Sequence, residues 1–264
     1  MAAEKWNVLE PGLALRHWPE NTSSPELTLL RITPGRFDFV LYAASAEEGR
    51  SRTVRQWLHD KDLVAAINAS MYWHDGETST GLMTNWGHIN NGRIHPEFGA
   101  FFVFNPLRPD LPQVDVVDRS LEKEWRQRVH GYASVVQNYR LLNAEGENVW
   151  QPSSQTHSAA AVAKDAQGRI YFIFQHEPST VHDLGGRLED LPFQLRTTMF
   201  VEGGVEASLA VHSRGVRTVW NGRYDNVFAA SASPRPVPNI LGIRRKTPPS
   251  GGNTTVPGHE SSAR

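Results

Sequence analysis

The sequence predicts an α+β fold in which a mixed, mainly antiparallel sheet packs against a few helices. Short runs rich in β-branched and aromatic residues, bounded by turn residues, recur along the 264-residue chain. Segments with apolar residues at helical spacing are fewer, and they do not alternate regularly with the strands as in a parallel βαβ fold. No linker-like stretch interrupts the interior. We therefore expect a single domain over residues 1–246.

The clearest strand patterns lie at residues 27–32, 37–43, 63–67, 100–104, 159–163, 170–174, 198–201 and 216–220. Two hairpins are predicted, because a turn sequence separates neighbouring strands in each case. Pro34-Gly35 lies between the first two strands, and Gln167-Gly168 lies between residues 163 and 170. Alternating prolines at 234, 236 and 238 favour an extended edge there and not a central strand.

Three helices are predicted. Thr53 and Gln56 have capping-box spacing before an apolar pattern, and Thr180 begins a second pattern that Pro192 ends. A third helix is predicted at residues 121–129. The first two each lead into a short apolar strand that ends in a polar cluster, at residues 68–70 and 202–204. If those strands are neighbours, both clusters lie at one sheet edge, where sites are usually built.

The last 18 residues, 247–264, contain no aromatic side chain, and their only apolar ones are Val256 and Ala263. Such a segment cannot bury enough apolar surface to offset the entropy of ordering it. We expect a disordered tail or an appended remnant.

Composition excludes several classes of function. Lys and Arg number 27 against 28 Asp and Glu, so the net charge of −1 supplies no basic surface for nucleic acid. The chain has no cysteine, which excludes disulfides, thiolate metal sites and a cysteine nucleophile, and leaves the redox compartment open. No apolar run approaches the ~20 residues of a membrane span, and the first residues show no signal peptide.

The strongest local pattern is Glu202-Gly203-Gly204 at the end of an apolar strand, with Ser208 beyond it. A carboxyl group at a strand end is partly desolvated, which raises its pKa toward the range of a general acid. Two glycines allow a substrate to approach the backbone closely. The alternative is an ordinary turn with an exposed glutamate.

Asn68 begins a second cluster that runs to Gly76 and combines an amide, a hydroxyl, an imidazole and a carboxylate with aromatic rings. This composition is typical of sugar sites, in which rings pack on apolar sugar faces and amides bind hydroxyls. The alternative is a turn at Asp75-Gly76 with its aromatic residues in the core.

Other candidates are weaker when taken singly. Gly81 and Asn85 lie in a turn-rich stretch, and Gln137 and Arg140 follow an apolar pair. An arginine there could hold a phosphate or carboxylate through its planar fork, although a surface salt bridge is the commoner use.

His157 and His176 lie at the outer ends of one predicted hairpin. A histidine can be an acid, a base, a metal ligand or a satisfied polar residue. The chain has no zinc, calcium, serine-hydrolase, NTPase or dinucleotide motif, so we predict neither a metal site nor a cofactor.

The order of these motifs resembles the phosphodiester glycosidase family over about residues 27–243. The resemblance lies in Ile67 to Tyr72, Gly81, Val136 to Asn138, His157 to Ala159 followed by Asp165 to Gly168, and Phe200 to Gly204. Two positions differ. Glu202 stands where members usually have aspartate, and His157 stands where they usually have arginine, which removes a permanent charge and a phosphate-matching fork.

The resemblance implies a hydrolase that cleaves a sugar–phosphate phosphodiester on a glycan or cell-envelope polymer. The catalytic residues would then be Glu202, His157 and Asn68. Those expected to contact the substrate are Gly81, Asn85, Gln137, Arg140, His176, Gly203, Gly204 and Ser208. Family members are mostly exported, so a periplasmic or extracellular location is implied, with a cytoplasmic one as the alternative.

Two other functions stay open. The same scaffold could be a non-catalytic module that binds a glycan or the cell envelope. An ordinary glycosidase would need a second carboxylate, for which Asp75, Glu177 and Asp183 are the candidates.

Overall fold

The computed structural model describes residues 6–20, 22–225 and 234–246. The predicted tail at 247–264 lies outside the described residues. The strands, in chain order, are β1 Asn7–Glu10, β2 Leu13–Trp18, β3 Leu27–Ile32, β4 Phe37–Ala43, β5 Ala65–Asn68, β6 Met83–Asn85, β7 His88–Asn91, β8 Ala100–Pro106, β9 Val114–Asp118, β10 Tyr132–Asn138, β11 Arg140–Leu142, β12 His157–Asp165, β13 Ile170–Ser179, β14 Leu195–Gly203, β15 Ser208–Ser213, β16 Val216–Asn221 and β17 Asn239–Arg245. The helices are α1 Val54–Asp60, α2 Trp125–His130 and α3 Val181–Glu189.

The strands form three antiparallel sheets. A seven-stranded sheet has the order β1-β2-β3-β13-β12-β14-β11, and two five-stranded sheets have the orders β7-β6-β10-β8-β9 and β16-β15-β5-β17-β4. All three contribute to one apolar core, which includes Leu30 and Phe174 from the first, Phe102 from the second and Ile67 and Leu241 from the third. The α+β prediction, with one domain of mainly antiparallel sheet, is confirmed.

The helices cover outer faces of these sheets. Trp57 of α1 packs on β5, β15 and β17, and Leu184 of α3 packs on the outer face of the seven-stranded sheet. Thr53 makes the predicted capping box with Gln56. No helix of the described residues is long and apolar enough to cross a membrane.

Several predicted elements are wrong in pairing or extent. The hairpin between β12 and β13 forms, but β3 and β4 do not pair, because a 3₁₀ turn at Pro34–Arg36 carries the chain from one sheet into another. Helix α2 begins at Trp125 and not at residue 121, since the Asp118 carboxylate accepts hydrogen bonds from the Ser120 and Leu121 amides and holds that segment as a turn. The strands that precede the two polar clusters, β5 and β14, lie in different sheets.

The prolines before β17 lie outside a central strand, as predicted. Pro234 and Pro236 are exposed and lie in no strand. The chain then enters β17, which was not predicted and which lies between β5 and β4.

Candidate active site

A cavity of about 640 Å³ opens where β12 begins and β14 ends. We call it the Glu202 cavity. It is lined by Met71, Tyr139, Trp150, Ser153, Gln155, Thr156, His157, Val181, Phe200, Glu202, Gly203 and Tyr224. The antiparallel register of β12 and β14 pairs Ala160 with Glu202 and Ala159 with Gly203, so His157 and Glu202 reach the same sheet end. Three predicted site residues, Glu202, His157 and Gly203, thus meet in one cavity.

Glu202 is deeply surrounded by protein although part of its side chain faces the cavity. Its Oε1 accepts a hydrogen bond of 2.9 Å from the Gly203 amide. Burial is the largest influence on this carboxyl and raises its pKa to about 8, the negative charge of Glu206 adds to the increase, and the Gly203 hydrogen bond opposes it. Glu202 is therefore mostly protonated at neutral pH.

Glu206 is a second carboxylate beside the first, and the sequence interpretation missed it. A 3₁₀ turn at Gly204–Glu206 brings it back toward Glu202. Gly204 has φ +70°, a left-handed conformation that glycine adopts without strain. The pattern Glu-Gly-Gly-Val-Glu could have indicated the pair, because a tight turn over two glycines returns the chain on itself.

His157 packs directly on the glycine that follows Glu202. A Cβ placed on Gly203 would lie 2.5 Å from His157 Cε1, so a side chain at residue 203 would displace the imidazole. His157 Nδ1 is 2.8 Å from the Ser158 carbonyl oxygen, which can only accept, and Nδ1 therefore carries the proton of this hydrogen bond. In the neutral ring, Nε2 is then the acceptor.

Two tyrosines stand close to the carboxylates. The ring of Tyr224 covers Gly204, where an added Cβ would lie 2.4 Å from its Cζ. Burial raises the pKa of Tyr72 to about 12, with further increases from Glu206 and Glu202 and a decrease from the nearby charge of Arg235. Both phenols therefore keep their protons at neutral pH and are hydrogen-bond donors.

Asn68 and Ser208 are buried behind the site and hold its turn. Asn68 Nδ2 donates to the Glu206 carbonyl at 2.8 Å, and Asn68 Oδ1 accepts from the Ser208 amide at 2.7 Å and from its hydroxyl at 3.1 Å. These bonds join the end of β5 to the start of β15. The structure therefore gives both residues a positioning contact and does not bring them into the lining of the cavity.

Other predicted contact residues lie elsewhere. Gly81 packs against the Gln137 carbonyl and the Phe98 ring, which would lie 2.5 and 2.7 Å from an added Cβ. The Gln137 amide is fully buried and bonds the backbone of His95 and Phe98. Asn85 donates to the Leu41 carbonyl and lines a separate cavity of about 350 Å³.

Arg140 and His176 are also outside the Glu202 cavity. Arg140 Nη1 is 2.5 Å from a carboxylate oxygen of the buried Asp118, and its side chain borders a neighbouring cavity. His176 Nε2 is 2.7 Å from the Thr28 hydroxyl, and burial together with His17 lowers the pKa of His176 to about 4. It is therefore a neutral residue of the protein interior at pH 7.

None of the three carboxylates considered for an ordinary glycosidase lines this cavity. Asp75 accepts from the amides of its own turn, Asp183 lies in the first turn of α3, and Glu177 pairs with Arg223. Within the described ranges, no group of three or more histidine, aspartate or glutamate side chains is arranged to hold a metal ion.

The sequence profile of the phosphodiester glycosidase family matches residues 61–244. The match covers more than half of the chain, and the chain therefore belongs to this family. A comparison with curated proteins found no match in sequence.

Solved structures show the same fold. The catalytic domain of zebrafish N-acetylglucosamine-1-phosphodiester alpha-N-acetylglucosaminidase, auto-inhibited by its pro-peptide, gives a TM-score of 0.57 at 12% identity, over 89% of each chain. A hypothetical protein from Synechocystis gives 0.55 at 13% identity, over 89% of this chain and 62% of that one. At these identities the likeness concerns the fold alone.

Proposed function

We propose that this chain is a hydrolase that cleaves a sugar–phosphate phosphodiester at the anomeric carbon. The observation that carries the proposal is the place of Glu202, which lines a cavity of about 640 Å³ together with His157. Burial there raises the pKa of Glu202 to about 8 and favours the protonated form at neutral pH. Membership of the phosphodiester glycosidase family supports the choice of bond.

In the reaction, the bond between the anomeric carbon and the phosphate oxygen breaks, and its electrons go to the phosphate. Phosphate is a good leaving group, so it needs less acid assistance than the alcohol of an ordinary glycoside. Glu202 donates a hydrogen bond or its proton to the departing oxygen, and water attacks the carbon. The water loses its proton to the Glu206 carboxylate, and the products are a free sugar and a phosphomonoester.

The charges of the site suit an anionic substrate. A neutral Glu202 does not repel a phosphodiester, whereas an ionised one would. Burial keeps Glu202 protonated, and the negative charge of Glu206 adds to this effect. The Glu206 carboxylate would stabilise the oxocarbenium-like charge that develops on the sugar. Arg235, whose charge lowers the pKa of Tyr72, supplies positive charge for the phosphate, and the His157 ring can form a hydrogen bond to it through Nε2.

Aromatic side chains favour a sugar as the other part of the substrate. Tyr139, Trp150 and Phe200 line the cavity, and Trp150 packs on Tyr139 and Phe200 with ring centroids 5.2 and 5.4 Å apart. Such rings offer flat apolar faces to the C–H faces of a sugar, and the adjacent tyrosine hydroxyls can bond its polar groups.

The first test is turnover of methyl N-acetylglucosaminyl-1-phosphate, a sugar phosphodiester chosen because the zebrafish protein is named for that linkage, within a panel of other sugar 1-phosphodiesters. Glu202→Gln keeps the shape of the side chain but cannot supply a proton, so we expect turnover to fall at least about a hundredfold. Glu145→Gln, at an exposed position outside the cavity, is the matched control and should behave as wild type.

Unchanged turnover by Glu202→Gln would contradict the assignment. Saturable glycan binding without release of sugar from any member of the panel would favour the non-catalytic binding module. A natural substrate on a glycan or cell-envelope polymer, and action outside the cytoplasm, belong to the same proposal. Fractionation of cells that produce the protein tests the location.

A further inference from the structure

A second cavity, of about 390 Å³, lies beside the Glu202 cavity. We call it the Arg140 cavity. Tyr139 and Trp150 line both cavities, so the two are neighbours across this aromatic pair. The remaining walls of the Arg140 cavity include Phe98, Ser120 and Gln151.

A series of aromatic contacts runs from one cavity to the other. The ring centroids of Phe98 and Tyr139 are 4.4 Å apart, those of Tyr139 and Trp150 5.2 Å, and those of Trp150 and Phe200 5.4 Å. The His157 ring continues the series 6.4 Å from Phe200. Phe98 and Phe200 are buried and support the half-buried Tyr139 and Trp150, whose rings border both cavities. Apolar ring surface at two adjoining cavities suits a ligand made of successive rings with apolar faces, which is the shape of a saccharide chain.

The wall of the Arg140 cavity is fixed before any ligand binds. Gln137 Nε2 donates to the carbonyls of His95 and Phe98 at 3.0 and 2.9 Å, and Arg119 Nη1 donates to the carbonyls of His95 and Pro96 at 3.1 and 2.8 Å. A wall held in this way loses little entropy when a ligand is bound, and this favours affinity.

Charge in the Arg140 cavity is balanced. Arg140 is paired with the buried Asp118, and Glu97 accompanies Arg119 in the lining. Glu97 also accepts a hydrogen bond from the Tyr139 hydroxyl. Burial raises the pKa of this phenol, and the charge of Glu97 and its hydrogen bond raise it further. A lining with both guanidinium donors and a carboxylate acceptor suits the hydroxyl groups of an uncharged sugar better than a second anion.

We propose that the Arg140 cavity is a second saccharide subsite, which binds an uncharged sugar residue of a chain whose reacting sugar phosphodiester occupies the Glu202 cavity. The substrate would then be an oligosaccharide or polysaccharide and not an isolated sugar phosphodiester. This inference rests on the proposed function for the reaction, but its binding step can be measured without turnover.

The experiment compares the binding of N-acetylglucosamine and chitotetraose by isothermal titration calorimetry. Wild type should bind the tetrasaccharide at least about tenfold more tightly, because each tenfold corresponds to about 1.4 kcal/mol of added contact. Ser120→Trp and Gln151→Trp place an indole at two exposed positions of the Arg140 cavity and should abolish that gain. Gln127→Trp, on the exposed face of α2, is the matched control and should keep it.

Circular dichroism shows whether each indole variant is folded. The inference is overturned if wild type binds neither saccharide or binds both equally. It is also overturned if both indole variants are folded and keep the gain. The same titrations with Glu202→Gln separate the two proposals. Wild type could fail to hydrolyse every sugar phosphodiester of the panel and still bind chitotetraose more tightly than N-acetylglucosamine. If the indole variants lose that gain in affinity, the subsite stands and the reaction assignment falls.

Discussion

Glu202 owes its chemistry to its position at the end of β14, where the chain leaves the sheet. Protein surrounds the carboxyl and Glu206 lies close by, and together they outweigh the opposing hydrogen bond from the Gly203 amide, so the neutral form is favoured. The Glu202 side chain turns back to accept from the amide of the next residue and still lines the cavity.

The raised pKa predicts how stability depends on pH. Between the ordinary value of 4.5 and about 8 the folded protein holds a proton that the unfolded chain has released, so the free energy of unfolding falls as pH rises through this range. A glutamine has no such proton to release, so the free energy of unfolding of Glu202→Gln does not fall for this reason in that range. We expect the variant to match wild type near pH 4.5 and to be more stable by about 1–3 kcal/mol near pH 9.

Urea denaturation of both proteins at the two pH values measures this difference, and Glu145→Gln controls for the loss of a charge. A stability difference that is the same at pH 4.5 and at pH 9 would show that the proton on Glu202 is not linked to folding.

At this scale the sequence predicted part of the site. Glu202, Gly203 and His157 meet as expected because each lies at a strand end. Glu206 was missed, because only the left-handed turn at Gly204 brings it next to Glu202. Gln137 was expected to bind substrate but is saturated by backbone groups, a use that depends on contacts between residues far apart in sequence.

The element that positions the Gly204–Glu206 turn is the link between β5 and β15. Strand β5 ends at Asn68, and its amide spans the gap to the backbone that follows Glu206. The strands that precede the two predicted polar clusters, β5 and β14, belong to different sheets and do not pair. Asn68 of the first cluster instead bonds Glu206 and Ser208, just beyond the second cluster.

Asn68→Ala should destabilise the fold by about 2–4 kcal/mol, because it leaves the Ser208 amide and the Glu206 carbonyl without their partner in a buried setting. Turnover should fall as the turn loses its fixed position. Asn68→Asp keeps the acceptor for Ser208 and is expected to lose less stability near pH 5 than the alanine variant. Equal stability of Asn68→Ala and wild type in urea would show that this link does not hold the turn.

Strand existence was easier to predict than strand partners. The patterns at β3, β4, β12 and β13 are strong because β-branched and aromatic residues are dense there. Only one of the two hairpins forms, since pairing depends on where the core lies. Strand β17 escaped prediction because it contains Gly242 and follows three prolines, yet it pairs with β4 on one side and β5 on the other.

At the scale of the whole molecule, three sheets enclose one core, and the chain should unfold as a unit. Phe102 is fully buried and packs on Phe39 of another sheet with ring centroids 5.9 Å apart. Phe102→Ala should therefore lower the free energy of unfolding by about 3–5 kcal/mol. Circular dichroism and tryptophan fluorescence should show one coincident transition in urea, whereas separate transitions would mean that the sheets unfold independently.

The net charge of −1 gives the molecule no general attraction for an anionic substrate. Recognition of the proposed phosphodiester then depends on local features, a neutral Glu202 and the positive charge of Arg235. The aromatic series that joins the two cavities adds apolar contact that does not depend on charge. The rate of substrate capture should accordingly change little with ionic strength.

The protonated carboxyl of Glu202 is the central claim, and the pH dependence of kcat/KM for wild type on methyl N-acetylglucosaminyl-1-phosphate tests it most directly. This parameter reports the ionisation of the free enzyme. We expect it to be highest below the pKa of Glu202 and to fall as pH rises through about 8, where Glu202 loses its proton. A rate that stays constant or rises through that value would contradict the claim.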